Sequence, residues 1–309
     1  MCGIYGYIGK VKPKLRKKVV SLIMELGAQT EIRGTDATGF YAKNDEYEYM
    51  EKHSVPASTF YLESDSFQEA ILEGAFVFIG HNRHASVGDV RNDNAHPFMG
   101  ENIVLVHNGT CSHAKNLLTA DEAGRMEGDT DSEAIMLYLE RVGLRSKCYA
   151  SLNNFSIVSF DRVENVMYFA RDENKPLVVA DLRASLGIRV FASTIGILKT
   201  SLEKCKIELK ADKVFSTRPD CLYEVRPEDG EVKRVLSFSL ISSATSPEKK
   251  KNGESKRIPC ATRPPINDKP YQQPDYLKYL SRSADSYHFS KSEDGKKSLL
   301  HRAMTVFGD

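Results

Sequence analysis

The segment Ile103-Val104-Leu105-Val106-His107-Asn108-Gly109 joins an apolar run to a polar Asn-Gly pair. Four consecutive aliphatic residues predict a strand that is buried on both faces. Ala75–Ile79 has the same character, and Cys2–Ile8 is a third strand candidate near the start of the chain. We therefore expect a core built on sheets, with polar side chains directly after one of the buried strands.

Helices are predicted among these strands. Apolar residues recur with helical spacing and would form one face of a helix at Leu15, Val19, Leu22, Ile23 and Leu26. Further helices are expected around Ser66–Leu72 and from Asp131, which follows Gly128-Asp129-Thr130. More strands are expected at Phe40–Lys43, Tyr47–Glu51, Phe155–Phe160, Val166–Ala170, Pro176–Ala180, Arg189–Ala192 and Leu222–Val225. Because strands and helices come in consecutive pairs rather than in strict alternation, the order favours a layered α+β fold over a doubly wound sheet.

The composition changes near residue 240. Residues 240–309 carry six of the twelve prolines and have 13 Lys and Arg against 8 Asp and Glu. We therefore predict a domain at 2–239 and a Pro-rich basic tail at 240–309. Such a tail buries little apolar surface, so it is expected either to be disordered or to dock on a partner.

Charge and cysteine content exclude several classes of protein. The 309 residues have a formal net charge of +1, which provides no general attraction to nucleic acid, and no apolar run approaches the roughly 18 residues of a membrane span. The basic run Lys249–Lys251 is too small to change this expectation. Six scattered cysteines without a paired motif predict a cytoplasmic chain with reduced thiols. They are Cys2, Cys111, Cys148, Cys205, Cys221 and Cys260.

Cys2 is a candidate for unusual reactivity. Removal of Met1 would expose a thiol and a free α-amino group on one residue, and the small side chain after Met1 permits that removal. An α-amino group titrates near ~7.7 to 8.0, so it can accept the proton of its own thiol at neutral pH. A small residue that merely starts a strand is the ordinary alternative.

Five motifs in order resemble the class II glutamine amidotransferases, which use an N-terminal nucleophile. They are Cys2-Gly3-Ile4, Arg33-Gly34-Thr35-Asp36-Ala37-Thr38-Gly39, Gly80-His81-Asn82-Arg83-His84-Ala85-Ser86, His107-Asn108-Gly109 and Gly128-Asp129-Thr130-Asp131-Ser132-Glu133. Weaker similarity follows at Arg171-Asp172, Pro176-Leu177 and Phe191-Ala192-Ser193. The resemblance covers about residues 2–200 and implies a four-layer αββα sandwich of the N-terminal-nucleophile hydrolase type, with a largely irregular C-terminal tail.

The resemblance implies a role for each motif. Cys2 is the nucleophile, and Asn108 and Gly109 provide the N–H donors that meet the oxyanion. Arg83 has the fork geometry that suits the α-carboxylate of glutamine, and Asp131 has the charge that suits its α-ammonium. Ser86 is placed with them as a substrate-binding residue.

Ordinary structural roles remain open for the same residues. Asn-Gly is a common turn dipeptide, and Asp131 could cap a helix. Arg33 and Asp36 are expected to hold the active-site loops behind the nucleophile, although a helix-ending Gly34 explains that motif almost as well. The glycines at 3, 6 and 9 do not form a nucleotide-binding motif.

The predicted function is a stand-alone glutaminase that supplies ammonia to a separate acceptor synthase chain, with L-glutamine as substrate and no cofactor or metal. A zinc site is not expected, because His81 with His84, or His107 with Cys111 and His113, matches known ligand patterns only loosely. His84 and Val87 depart from the family, in which several members have an aromatic residue and a histidine there. This departure leaves open a hydrolase of γ-glutamyl or other amide conjugates. A catalytically idle scaffold is the other alternative.

Overall fold

A computed structural model describes residues 1–210 and 213–238 of the chain. The predictions for the tail, from residue 240 onward, lie outside the described residues. Within the described residues the strands are β1 (Gly3–Gly9), β2 (Ala37–Lys43), β3 (Glu48–His53), β4 (Val77–Arg83), β5 (Phe98–Met99), β6 (Ile103–Gly109), β7 (Phe155–Asp161), β8 (Val166–Arg171), β9 (Val178–Leu182), β10 (Ile188–Ala192), β11 (Val214–Ser216), β12 (Cys221–Val225) and β13 (Val232–Ser237). The α-helices are α1 (Arg16–Thr30), α2 (Ala57–Glu63), α3 (Ser66–Leu72), α4 (Ala120–Gly124), α5 (Asp131–Val142), α6 (Arg183–Leu186) and α7 (Ile195–Lys204).

The strands form two antiparallel sheets. The order in the seven-stranded sheet is β11-β9-β10-β1-β4-β2-β3, and the order in the six-stranded sheet is β13-β12-β8-β7-β6-β5. β1 therefore lies at the centre of its sheet, between β10 and β4. β6 lies next to β7 in the second sheet and contacts both β1 and β4 in the first.

Three groups of buried apolar side chains separate four layers. One group packs α1, α2, α3 and α7 on the seven-stranded sheet, and another fills the space between the sheets. The third packs α5 on the outer face of the six-stranded sheet. This order of helices, sheet, sheet and helix confirms the predicted α+β fold with αββα layers.

Burial on both faces explains why the central strands are almost continuously apolar. Side chains alternate along a strand, so β1 directs Tyr5 and Tyr7 to the helices and Ile4 and Ile8 to the other sheet. Gly6 on this strand has φ of 155°, and a Cβ there would collide with the carbonyl of Phe78. The regular glycines of β1 therefore allow close strand packing.

Several predicted boundaries agree with the structure and others need correction. The prediction of α3 at Ser66–Leu72 and of a helix from Asp131 is right. The prediction that Asn108 and Gly109 follow the strand is wrong, because pairing with β7 extends β6 through both residues. Helices α2 and α7 were missed because their apolar positions are too few for a clear helical period.

No helix in the described ranges is long and apolar enough to cross a membrane.

Candidate active site

Cys2 lies just before β1, beside the end of β4. The register that pairs Gly3 with Asn82 brings Cys2 next to His84. The Cys2 thiol accepts the main-chain N–H of His84 at 3.3 Å and donates to its carbonyl at 3.4 Å. Burial raises the pKa of the thiol, while the His84 N–H and the positive charges of the chain's α-amino group, Arg83 and Arg33 oppose this rise. The thiol is therefore held in place by one loop.

Arg33 and Asp36 lie beside Cys2 and the residues that follow β4. Arg33 Nε donates to the main-chain carbonyl of Cys2 at 2.7 Å. Asp36 Oδ2 accepts the N–H of Ala85 at 2.8 Å and lies 3.5 Å from His84 Nδ1. These two side chains fix the start of β1 to the loop that follows β4.

Gly34 does not end the first helix, contrary to the alternative derived from the sequence. Helix α1 ends at Thr30, and Glu31 is its C-cap in the right-handed region. A Cβ on Gly34 would instead collide with the main chain of Arg83. The glycine is required by the close approach of two loops, not by a left-handed helix end.

Arg83 is nearly buried at the end of β4 and organises the loop after it. Its Nη1 donates to the carbonyl of Asp89 at 2.8 Å, and its Nη2 donates to those of Val87 and Gly88 at 2.7 and 3.1 Å. Burial lowers the pKa of this guanidinium, and the nearby thiol and carboxylates of Cys2, Asp36, Asp129 and Asp131 oppose the shift. Five N–H groups are present on an arginine, so donors remain beyond those used by the loop.

Asp131 occupies the first turn of α5, where a carboxylate is favoured by the helix dipole. Thr130 caps this helix, since its hydroxyl accepts the N–H of Glu133 at 3.2 Å. The alternative in which Asp131 is the cap is therefore wrong. Asp131 Oδ2 accepts the N–H of Cys111 at 2.6 Å, and the side chain lines the pocket described below.

Asn108 and Gly109 are the last two residues of β6, where this strand approaches the seven-stranded sheet. Asn108 Nδ2 donates to the hydroxyl of Ser193 at 2.8 Å. Gly109 has φ of 154°, and a Cβ there would collide with the carbonyl of Asn154. This position therefore requires glycine, and the Asn-Gly pair is a strand end with a special backbone rather than a hairpin turn.

Three buried histidines lie close together beside the Cys2 pocket, and the sequence did not predict that they meet. The rings of His81 and His96 are 3.9 Å apart, and His81 Nε2 contacts the carbonyl of His107 at 3.2 Å. Burial lowers the pKa of His81 to about 3 and also lowers the pKa of His96 and His107. Lys52 donates to the carbonyl of Ala95 at 3.0 Å and so holds the segment that carries His96. His81 and His107 lie within the motifs found in the sequence, whereas His96 lies outside them.

One pocket brings most of the predicted residues together. Its walls are formed by Cys2, Arg83, His84, Ser86, Val87, His96, His107, Gly109, Thr130, Asp131 and Ser132, around about 270 Å³ of space that includes open solvent. Asn108, Arg33 and Asp36 are outside this lining and support it from behind. The pocket thus combines a thiol, a guanidinium and a carboxylate.

The residues considered for zinc do not form a group of three ligands in the described ranges, although Cys111 Sγ lies 3.8 Å from the ring nitrogens of His113. His81 is buried against His107, whereas the side chain of His84 is 57% exposed. Within residues 1–210 and 213–238, no group of three or more His, Cys, Asp or Glu side chains could hold a metal ion. The five cysteines in these ranges are free thiols.

The family model described as a glutamine amidotransferase domain matches residues 65–224, which is more than half of the chain. The chain belongs to the glutamine amidotransferase family. Together with the two-sheet fold, this match confirms the class II, N-terminal-nucleophile type. Cys2, Arg33 and Asp36 precede the matched range, so their placement rests on the coordinates.

Relatives with curated names support the family. The chain is 32% identical to the isomerizing glutamine–fructose-6-phosphate aminotransferase of Chlorobaculum tepidum over 146 residues, which is 46% of this chain and 22% of the relative. It is 26% identical to the enzyme of that name from Halalkalibacterium halodurans over 266 residues, which is 80% of this chain and 42% of the relative. The chain therefore spans less than half the length of these two relatives.

A solved structure supports the fold. The glutamine phosphoribosylpyrophosphate amidotransferase of B. subtilis superposes with a TM-score of 0.55 and 19% identity, over 77% of this chain and 50% of that chain. At this identity the likeness concerns the arrangement of sheets and helices.

Proposed function

We propose that this chain hydrolyses the side-chain amide of glutamine through a thioester on Cys2. The observation that supports this best is the position of the Cys2 thiol in one pocket with Arg83, Gly109 and Asp131. A carboxylate-binding fork, an ammonium-binding carboxylate and a nucleophile are the three partners that glutamine needs. Glutamate and ammonia are the products.

Binding fixes the α-amino-acid end of the substrate. The remaining N–H donors of Arg83 pair with the α-carboxylate, and Asp131 pairs with the α-ammonium. Both protein groups are largely buried, so water reaches them poorly. Pairing with the opposite charge of the ligand is therefore favourable for each of them. Ser86, whose hydroxyl lies 3.4 Å from that of Thr110, contributes a further donor at the pocket wall.

The chemical step uses one residue as nucleophile and base. After removal of Met1, the α-amino group of Cys2 takes the thiol proton, and the sulfur forms a bond to the amide carbon. The tetrahedral intermediate collapses as the same group returns the proton to the leaving nitrogen, which departs as ammonia. Water then attacks the γ-glutamyl thioester, releasing glutamate and the free thiol.

The oxyanion needs donors that are already in place. Asn108 Nδ2 carries two hydrogens, of which one is used by Ser193, and the main-chain N–H of Gly109 is the second candidate donor. Removal of one such donor typically slows the reaction by about 100-fold or more.

Ammonia is proposed to pass to an acceptor on a separate chain. The basic tail is proposed to dock that partner, and its structure lies outside the described ranges. Deletion of residues 246–309 is then expected to weaken partner binding while leaving glutamine hydrolysis intact. Equal partner affinity of the full and shortened chains would contradict the docking proposal.

A hydrolase of γ-glutamyl amines is a second candidate, favoured by the exposed His84 side chain at the pocket mouth. An exposed, polar mouth leaves space for a leaving group larger than ammonia. Turnover of L-glutamine and of γ-glutamyl methylamide by the same preparation separates the two functions. Faster release of methylamine than of ammonia would favour the second candidate.

The principal test is the intact mass of the purified full chain before and after treatment with 6-diazo-5-oxonorleucine. We expect loss of Met1 and one covalent adduct, which Cys2→Ala lacks and Cys148→Ala retains. Cys148 is a suitable control because it is also a half-buried free thiol. Retained Met1, or an adduct that persists in Cys2→Ala, would contradict the proposed nucleophile.

A further inference from the structure

Ser193 lies directly after β10 and is fully buried where the two sheets meet the start of β1. Its hydroxyl accepts the main-chain N–H of Ile4 at 2.7 Å and the Nδ2 hydrogen of Asn108 at 2.8 Å. It also donates to the carbonyl of Ile4 at 3.3 Å. One hydroxyl thus joins the nucleophile strand in one sheet to the Asn-Gly motif in the other.

These contacts use the full capacity of the group. A serine hydroxyl has one donor and two acceptor sites, and all three are occupied here. Pairing of β1 and β10 does not need the donor, because Ile4 O already accepts the main-chain N–H of Ser193 at 2.9 Å. The hydroxyl therefore acts mainly as an acceptor, for the Ile4 N–H and for Asn108 Nδ2.

The orientation of the Asn108 amide depends on this contact. Its Oδ1 is buried and makes no hydrogen bond of good geometry among the described residues, although the ring of His81 interacts with this side chain. Ser193 holds the Nδ2 end, which leaves the second Nδ2 hydrogen directed away from Ser193. Without the hydroxyl, the Nδ2 end of the amide loses this hydrogen bond, and only the weaker interaction with His81 restrains its orientation.

We propose that Ser193 is a positioning residue that aligns the Asn108 amide as an oxyanion donor and fixes it at a set distance from the Cys2 strand. This inference rests on the proposed glutamine hydrolysis. Ser193 acts through Asn108 and does not touch the substrate. Its effect therefore falls on the transition state, in which the oxyanion forms, rather than on binding of the glutamine ground state.

The matched pair of variants is Ser193→Ala and Ser201→Ala in the full chain. Ser201 is also fully buried, and its hydroxyl donates to the carbonyl of Ile197 at 2.8 Å within α7. We expect Ser193→Ala to lower kcat for glutamine by roughly 10- to 100-fold with KM nearly unchanged, and Ser201→Ala to keep kcat. An unchanged kcat in Ser193→Ala would overturn the proposal.

A second readout separates positioning from general damage. Alkylation of Cys2 by iodoacetamide is displacement at a methylene carbon and needs no oxyanion. Its rate, followed by mass of the N-terminal peptide, is expected to be the same in Ser193→Ala and in the original chain. A parallel fall of alkylation and kcat would show that Ser193 only supports the nucleophile strand, which contradicts the proposal.

Two further experiments complete the test. In an Asn108→Ala background, Ser193→Ala is expected to cause no further loss of kcat, and independent losses that multiply would overturn the proposal.

Crystal structures of Ser193→Ala and Ser201→Ala provide a readout that needs no activity. Rotation or disorder of the Asn108 amide in Ser193→Ala alone supports the role, and an unchanged amide overturns it. If the original chain hydrolyses no glutamine, the proposed function fails, while this structural comparison still decides whether Ser193 positions Asn108.

Discussion

The Cys2 thiol and the main-chain N–H of His84 lie 3.3 Å apart although 82 residues separate them in the chain. Pairing of β1 with β4 produces this contact, because Gly3 is opposite Asn82. An N–H directed at sulfur stabilises the thiolate more than the thiol, which opposes the effect of burial on the pKa of Cys2. The end of β4 and the loop after it thus supply both Arg83 and the N–H that contacts the Cys2 thiol.

Arg83→Lys is expected to raise KM for glutamine and to lower kcat/KM on the order of 100-fold, because lysine cannot form the two-pronged contact. Lysine also loses the contacts to the carbonyls of Val87 to Asp89. Steady-state kinetics provide the measurement. Arg91→Lys is the control, since Arg91 is 45% exposed and its contact to Asp129 is 3.9 Å long. Equal effects of both substitutions would contradict the role of Arg83.

Asp131→Asn is expected to raise KM for glutamine by roughly 10- to 100-fold, because a neutral amide cannot pair with the α-ammonium. Its oxygen can still accept the N–H of Cys111, so the melting temperature should change little. Glu127→Gln removes an exposed charge near the same helix and serves as the control. A melting temperature that falls strongly without a change in KM would indicate a purely structural role.

Gly109→Ala is expected to lower the free energy of unfolding by about 2 kcal/mol or more and to abolish turnover. The left-handed φ of 154° is costly for alanine, and the new Cβ would collide with Asn154 O. Urea unfolding is the measurement. Gly124→Ala has nothing within 4 Å of its Cβ and should be neutral or slightly stabilising. Comparable stability of the two variants would refute the strain argument.

The free energy of unfolding is expected to fall as the pH drops below about 6.5. The unfolded chain protonates its histidines near that pH, whereas burial keeps the pKa of His81 at about 3 and lowers that of His96 and His107. The unfolded state therefore binds more protons, and each such histidine costs up to about 1.4 kcal/mol per pH unit below 6.5. Above that pH the contribution is fully present.

Urea unfolding between pH 7 and pH 5 measures this effect. His96→Gln is expected to flatten the dependence, because one neutral buried histidine is removed. Ser201→Ala, which removes no titratable group, should leave it unchanged. Equal slopes for His96→Gln and the original chain would contradict the assignment.

Local sequence signals were sufficient for elements with a strong period or a clear boundary. Helix α3 and the start of α5 are examples, because apolar spacing and a capping threonine are properties of neighbouring residues. The family's motifs likewise indicated Arg83, Asp131 and the Asn-Gly pair without coordinates. The roles assigned to these residues remain predictions until the variants are measured.

Long-range pairing decided what the sequence could not. The extension of β6 through Gly109 depends on its partner β7, and the need for glycine at position 34 depends on the main chain of Arg83. The contact of Ser193 with Asn108 joins residues 85 positions apart and belonging to different sheets. Hydrogen bonds of this kind are set by how the layers pack, which no local pattern encodes.

The sequence alone therefore determined the family and the layered α+β class, and it indicated the candidate site residues, because these depend on residue chemistry and short-range order. Only the tertiary structure decided how these residues are held: Cys2 by His84 and Arg33, Arg83 by its loop, and Asn108 by Ser193. The physical reason is that buried polar groups must find partners, and the packing of two sheets determines which partners are within reach.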